Sequence, residues 1–404
     1  MPLTVKWDGG VAVGDGETTI ILDPQRNNQN YRNILITHSH SDHAKGFHFN
    51  ACRRYSTSET LELANLYRRV DPTDWEPLFY RKKIRIGSLE VEAHNAGHIL
   101  GSALFEIITS EGNLLYTGDL NTVDTLTMKA AEVVPCDILV IESTFGSPGF
   151  VFPSREGLSV DILNWTVKTM KEGKIPVLHS DSIGNSQELI YLFNQLTTIP
   201  VVTHPRVSMV NEVYRKHGFE LSYIDAASED AKELLTDHEC VFIAPKRGRL
   251  PENLEFEYAY ASGWAIYTSG GKKGFPLSDH ADFPHLLDFV RKTHPRLVLT
   301  CFGGRNNEIF ASYVERKLGI RARPLSTVSE RVEGKTEAGG KLEACSREVL
   351  RIIRIPGFNY RKKWVIKQAR RKGFSIEEVE ATLDILVKRG ILRFLEHLEE
   401  YELR

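Results

Sequence analysis

Apolar residues in the first part of the chain come in short runs: TTIILDP, NILITH, SLEVEAHNAG, ALFEII, NLLYTGD and DILVIEST. Each gives way to polar residues or a glycine, which predicts strands buried on at least one face. SETLELANLYRRV predicts a helix, with Ser58 as cap and Leu61, Leu63, Leu66 and Val70 on its apolar side. From Pro153 the rhythm changes. VDILNWTVKTMKEG, NSQELIYLFNQL and VSMVNEVYRKHG read as helices, with IPVLHS and IPVVTH as strands between them. That alternation predicts an α/β unit of parallel strands joined by helical crossovers. Around Ala261 β character returns, and RLVLTCF is one more buried strand. KTEAGGK (335–341) has linker composition. Beyond it, SREVLRIIR, YRKKWVIKQARRKG and IEEVEATLDILVKRG predict three helices, and ILRFLEHLEEYEL a hairpin. Ser375 and Glu378 form a capping box for the third helix, and Gly390 sits where a C-cap belongs. Three helices and a β wing are the pattern of a winged helix. The expected units are 1–152 and 261–333 as one β-rich domain, 153–260 as an insert, and 345–404 as a separate small domain.

Composition changes this picture little. The chain has 404 residues, 41% hydrophobic and 26% charged, which excludes wholesale disorder and collagen-like repeats. No apolar run approaches the ~20 residues that span a bilayer, so no membrane helix is expected. The start, MPLTVKWDGG, lacks the basic flank and apolar stretch of a signal peptide. Five scattered cysteines without a CxxC pair fit a reducing compartment, hence the cytoplasm, and argue against a disulfide framework or a thiolate zinc cluster. The net charge of −2 creates no global field for nucleic acid, so a polyanion would need a local patch.

The candidate chemistry concentrates in THSHSDH, which follows the strand NILIT directly and carries His38, His40, Asp42 and His43. Side chains projecting from a strand end into a turn let His38 and His40 grip one metal while Asp42 and His43 reach a second. Nitrogen and oxygen donors without thiolates suit zinc, with manganese next. His98, in AGHILGSA, and Asp119, at the end of LLYTGD, are further candidate ligands. A carboxylate at Asp119 can bridge two divalent ions, as two-metal hydrolases require. Asp23 ends TIILDP and reads as the group that orients a ligand histidine.

The ordered set Asp23, His38-Ser-His40-Ser-Asp42-His43, His98 and Asp119 resembles the metallo-β-lactamase superfamily. The resemblance implies an αββα sandwich with a two-metal site at one edge. Glu142 ends DILVIEST, His280 lies in PLSDHADF, and the inserted α/β unit separates them. This arrangement is similar to the β-CASP nuclease branch, in which the insert caps the metal site and encloses a nucleic-acid strand. By that resemblance Glu142 matches the motif A acid and His280 the motif B histidine. His280 would then donate a proton to the leaving oxygen or bind the scissile phosphate, oriented by Glu142, while Asp42 and Asp119 serve the metals. Many members, notably RNA-processing ones, carry a motif C histidine on the last sandwich strand. Here that strand reads LVLTCFGGRNNE, with Cys301, Phe302 and Gly303 at the place. The DNA-processing cross-link repair and Artemis-like group also lacks the histidine. SGW (262–264) resembles a tripeptide of that group, and LSDHADFPHLLDFV resembles exonucleases encoded beside bacterial DNA ligases. Cys301 is either a buried structural thiol or a replacement ligand for the second metal.

For the substrate path, HSDSIGNSQELI runs from a strand through a Ser/Gly turn into a helix. It is either an anion site, with Ser180, Ser182, Gly184, Asn185 and Ser186 on a phosphate, or an ordinary capped helix start. Ser278 is a similar candidate. PKRGR (245–249) and GGKKG (270–274) are phosphate contacts or solvated loops. Between 345 and 374 ten basic residues face one acidic residue, whereas the third helix carries Glu377, Glu378, Glu380 and Asp384. This favours backbone tethering or a protein partner over base reading by that helix. The expectation is a zinc-dependent nuclease acting as a 5′ exonuclease on single-stranded DNA in repair. The alternative is a ribonuclease J-like or 3′-end-cleaving enzyme acting on RNA. A nucleic-acid-binding scaffold and a small-molecule hydrolase are the readings from other classes.

Overall fold

The computed structural model describes residues 3–328, apart from 29, 51, 72, 111, 253 and 268–272, and residues 340–403, apart from 354–358, 389, 390, 396 and 397. Most of the expected linker and Gly390 lie outside the described residues.

Two sheets face each other. The first orders Thr4–Trp7, Val11–Gly14, Thr19–Leu22, Asn33–Leu35, Arg53–Ser56 and Trp75–Pro77. The second orders Arg321–Pro324, Leu297–Cys301, Ile138–Glu142, Gly112–Tyr116, Ala103–Thr109, Leu89–Asn95 and Lys83–Ile86. Alternation along the strands sends one set of side chains between the sheets, where Val11, Val13, Ile20, Leu22 and Leu35 meet Val91, Phe105, Tyr116, Val140 and Leu299. The opposite set carries the outer layers. Ile21, Ile34 and Ile36 pack on Phe47, Leu61 and Ala64, while Leu104, Leu115, Leu139 and Val298 pack on the helices Phe283–Thr293 and Asn306–Leu318. The layers therefore run helix, sheet, sheet, helix.

The insert forms a third, six-stranded sheet with every pair parallel. The helix Asn185–Leu196 matches the sequence pattern residue for residue. This sheet takes in Phe256–Ala261 and Lys273–Phe275, past the expected boundary at 260. The β character read near Ala261 thus belongs to the insert, because Phe256–Ala261 completes the parallel ladder beside Ile175–Ser180. The insert rests on the sandwich edge through Ile99 and Leu100, which join Ile183, Tyr214 and Phe275 in one apolar cluster.

The first helix differs from expectation. It spans Ser58–Asn65, and its cap is Thr57, whose Oγ1 accepts from the Thr60 backbone N–H. It stops short of Val70 because the Asn65 side chain takes up the Val70 N–H at 2.6 Å. At the C-terminal end, helices Gly340–Ile352, Lys362–Arg370 and Ile376–Lys388 surround one apolar cluster with a three-stranded antiparallel sheet. The hairpin of Leu392–Leu395 and Glu400–Leu403 and the reciprocal Ser375–Glu378 hydrogen bonds are present as read. Arg351 reaches Glu106 of the sandwich, so one of the ten basic residues is used in docking.

Candidate metal centre

The site lies where strands end. His38 follows Asn33–Leu35, His98 follows Leu89–Asn95, Asp119 follows Gly112–Tyr116, and Glu142 closes Ile138–Glu142. Parallel α/β arrangements open their clefts at strand carboxyl ends, and this edge follows that rule. The approach of the two sheets is close. A Cβ on Gly118, itself at φ +53°, would meet Thr37 Oγ1 at 2.6 Å, so a side chain there would push Asp119 out of place.

One atom organises the centre. Asp119 Oδ2 lies 3.4 Å from His38 Nε2, 3.5 Å from His43 Nε2, and 3.9 Å from both His98 Nε2 and His280 Nε2. Each imidazole is oriented from its other side. The Thr37 hydroxyl donates to Asp23 Oδ2 at 2.6 Å, which leaves its oxygen to accept from His38 Nδ1 at 3.0 Å. His43 Nδ1 donates to Asp23 Oδ2 at 2.8 Å, and His98 Nδ1 to the Asp279 carbonyl at 2.9 Å. Tyr116 adds a hydroxyl to Asp23 at 2.8 Å, so this wholly buried carboxylate holds Thr37, His43 and Tyr116 together.

These contacts fit a cation. His38 Nε2 is buried without a hydrogen-bond partner. His40 Nδ1 and His98 Nε2 face each other at 3.0 Å, although the second nitrogen of each ring points at a carbonyl, that of Ile183 or of Asp279. Two facing lone pairs are repulsive unless a cation or a proton lies between them. The donor atoms of His38, His40, His98 and Asp119 lie within 4.8 Å of one another, a compact N3O set of the kind zinc takes. Asp42 stands on the outer side, its Oδ2 3.8 Å from His43 Nε2, and would complete a second position with His43 and Asp119.

Electrostatics separate the histidines. Burial and neighbouring imidazoles hold His38 and His98 well below the usual histidine range, so both are neutral donors. Burial alone would lower His43, but the Asp119 and Asp23 carboxylates outweigh it and raise it to about 9. Burial also lifts Asp119, to about 6 against the pull of His43 and His280. His280 behaves oppositely to His38: despite burial, Glu142 first and Asp119 second push it well above the usual range. Its Nδ1 donates to Glu142 Oε1 at 2.9 Å, leaving a protonated Nε2 aimed at the centre.

The other sequence candidates divide. Ser182, Asn185 and Ser278 line the cavity of about 850 Å³ that opens over the site. Ser180 and Ser186 do not. Their hydroxyls pair at 2.6 Å inside the helix start, and Ser186 donates on to the Asp181 carbonyl. Gly184 supplies the turn, at φ +94°, where a Cβ would meet Asp279 Oδ2 at 2.6 Å. Cys301 belongs to the inter-sheet core, and its thiol points to the Ile141 carbonyl at 3.5 Å. The ring of Phe302 stands against His43, centroids 4.6 Å apart, where a motif C side chain was sought. Lys246 of PKRGR pairs with Asp181 at 3.8 Å; residues 270–272 of GGKKG lie outside the described residues. Sequence reasoning missed Asp279, a buried carboxylate between His98 and His280. Its place beside the motif B histidine was the available signal.

No family model matches the chain. It is 31% identical over 281 residues to a probable DNA ligase of Opitutus terrae, covering 67% of this chain and 26% of that protein. It is 26% identical over 292 residues to an RNase J-like protein of Methanocaldococcus jannaschii, covering 66% of each. The chain belongs to the β-CASP branch of the metallo-β-lactamase superfamily. It spans less than two thirds of the length of either relative. A solved protein of unknown function from Enterococcus faecalis shares the fold, at TM-score 0.55 and 14% identity over 74% of this chain and 94% of its own. Among the described residues no helix is long and apolar enough to cross a membrane.

Proposed function

We propose that the protein is a cytoplasmic, metal-dependent nuclease that hydrolyses phosphodiester bonds of DNA, acting from the 5′ end of single strands in repair. The observation that carries this reading is the Asp119 node with the His280–Glu142 pair beside it, 3.9 Å from Asp119 Oδ2 to His280 Nε2. His38, His40, His98 and Asp119 would hold one divalent ion, zinc or else manganese, and Asp42, His43 and Asp119 a second. When bound, such ions supply Lewis-acid activation of water and neutralise charge on the phosphate. The chain's own residues do the rest. Asp23 and Thr37 keep ring nitrogens aimed inward, and Asp119 sets the shared centre. His280 holds the proton that a strongly basic departing alkoxide needs, and Glu142 keeps it there. Ser182, Asn185 and Ser278 position the strand in the cavity beneath the cap.

DNA is favoured over RNA by the Cys301–Phe302–Gly303 segment, which lacks the motif C histidine as the DNA-processing group does, and by the ligase-named relative. RNA is the second reading, favoured by the relatives named RNase J-like protein and endoribonuclease. The C-terminal unit reads as a winged helix that tethers backbone or a protein partner, with Lys363, Lys367, Arg370 and Arg371 lining one shallow groove. The test is hydrolysis of a labelled oligonucleotide with zinc or manganese supplied. Wild type should cleave, while chelated wild type and Asp119→Ala should not; equal cleavage by Asp119→Ala would sink the assignment.

A further inference from the structure

An aromatic side chain at the cavity wall has no role in the chemistry above. Trp264 is 53% exposed, although it sits in a cavity wall with Phe145 and His280. The indole is held from behind: Phe145 packs on it at 4.9 Å between centroids and Phe150 meets it edge-on at 5.6 Å. Phe145 in turn packs against His280 at 5.7 Å, so the indole stands one ring away from the group that protonates the leaving oxygen. Tyr67, 51% exposed, lines the same cavity. So do three side chains with cationic heads, Lys45, Arg68 and Arg206. The acidic members of the lining are Asp42, Asp119, Asp181 and Asp279; two of them belong to the ligand set and Asp181 is paired with Lys246.

We infer that Trp264 is a stacking platform for an unpaired base flanking the scissile phosphate, with Lys45, Arg68 and Arg206 receiving the phosphates on either side. The inference rests on the nuclease reading and adds the feature that selects single strands. Cationic side chains and an exposed π-face in one cleft are the recognition chemistry of single-stranded nucleic acid. A base in a duplex has both faces covered by neighbours and cannot reach the indole. Every base has a π-face, so the subsite discriminates strandedness and not sequence. Backing by Phe145 and Phe150 holds the indole in place before the strand arrives, which lowers the ordering cost of binding.

The experiment is a binding scan with the full chain in chelator, so that no cleavage intervenes. Labelled single-stranded oligonucleotides carrying one abasic residue at successive positions are titrated by fluorescence anisotropy against wild type, Trp264→Ala and Trp264→Phe. In wild type, one position should show a dissociation constant raised roughly tenfold by base removal, the order of a single base–aromatic stack. In Trp264→Ala that position should lose its distinction, with every oligonucleotide bound at the weaker value. Trp264→Phe, which keeps a smaller π-face and preserves packing on Phe145, should restore part of it and guards against a folding defect in the alanine variant. The stacking contribution should persist as salt is raised while overall affinity falls. A flat abasic profile in wild type, or the same profile in all three proteins, overturns the inference. Binding with the predicted profile but no hydrolysis when metal is restored would instead sink the nuclease reading and leave the stacking subsite standing.

Discussion

Glu142→Gln tests the acid assignment with an almost isosteric change. Glu142 is fully buried and accepts from His280 Nδ1 at 2.9 Å and Leu120 N–H at 3.4 Å on Oε1, and from Thr144 N–H at 2.8 Å on Oε2. Glutamine offers one oxygen and one NH2 group. If the oxygen faces Thr144, the amide N–H faces His280 Nδ1 and forces the opposite tautomer; if it faces His280, the Thr144 N–H meets another donor. Either way a buried donor loses its acceptor, at a cost of about 1–3 kcal/mol in stability. The larger effect is electrostatic. Glu142 is the foremost group raising His280, and an opposite charge at this range is worth roughly 1–3 pKa units, or about 1.4–4 kcal/mol. Because the folded pKa is raised, the proton is held at low pH and lost as pH climbs. Removing the charge therefore moves the alkaline limb of the rate profile downward by roughly one to three units, on the order of 10- to 1000-fold in rate at pH values above the wild-type limb. Single-turnover cleavage between pH 6 and 9.5, with metal content measured on the same samples, reads this out. A variant with full metal content, an unmoved alkaline limb and an undiminished rate would refute the role of the pair.

Asp23→Asn removes the carboxylate that holds His43 and accepts from Thr37 and Tyr116, and should weaken metal binding roughly 10- to 100-fold by calorimetric or competition titration. Metal uptake should release protons. His43, at about 9 in the metal-free protein against 6.5 ordinarily, must give up its proton to bind, so affinity should rise with pH up to about 9. Calorimetry in buffers of different ionisation enthalpy would show the released proton, and pH-independent affinity would contradict it. By linkage, the same raised value stabilises the metal-free fold fully below pH 6.5 and is lost as pH rises through about 9, so its melting temperature should fall over that window. Cys301→Ala should leave metal content unchanged while lowering stability by about 1 kcal/mol, as trimming a buried core thiol does. Loss of the second metal equivalent would instead make Cys301 a ligand.

The candidate ligands could be picked out along the chain because their chemistry is local. Four candidates fall within THSHSDH, and the others sit at the ends of strands that apolar runs announce. Asp23 could be placed because a carboxylate closing one strand faces histidines closing a parallel neighbour. Longer-range features were not legible. Ser180 and Ser186 share a turn with Ser182, but only folding decides which hydroxyls face the cavity. Cys301 ends a fully buried strand whose side chains alternate between the inter-sheet core and the helix-covered face, and a single position determines which it takes. The stacking ring depends on Phe145 and Phe150, more than a hundred residues before Trp264. Short strands such as Thr4–Trp7 and Trp75–Pro77 carry too few apolar residues to stand out.

The central claim is met most directly by one cleavage experiment on purified, metal-supplied protein. Matched single-stranded DNA and RNA, each with a 5′-phosphate or a 5′-hydroxyl, are offered at equal concentration, and products are resolved by length over time. The account predicts rapid loss of nucleotides from the 5′-phosphorylated DNA, with RNA degraded far more slowly. Preferential degradation of RNA would move the protein to RNA turnover, and intact substrates in every arm, with metal bound, would contradict the nuclease assignment itself.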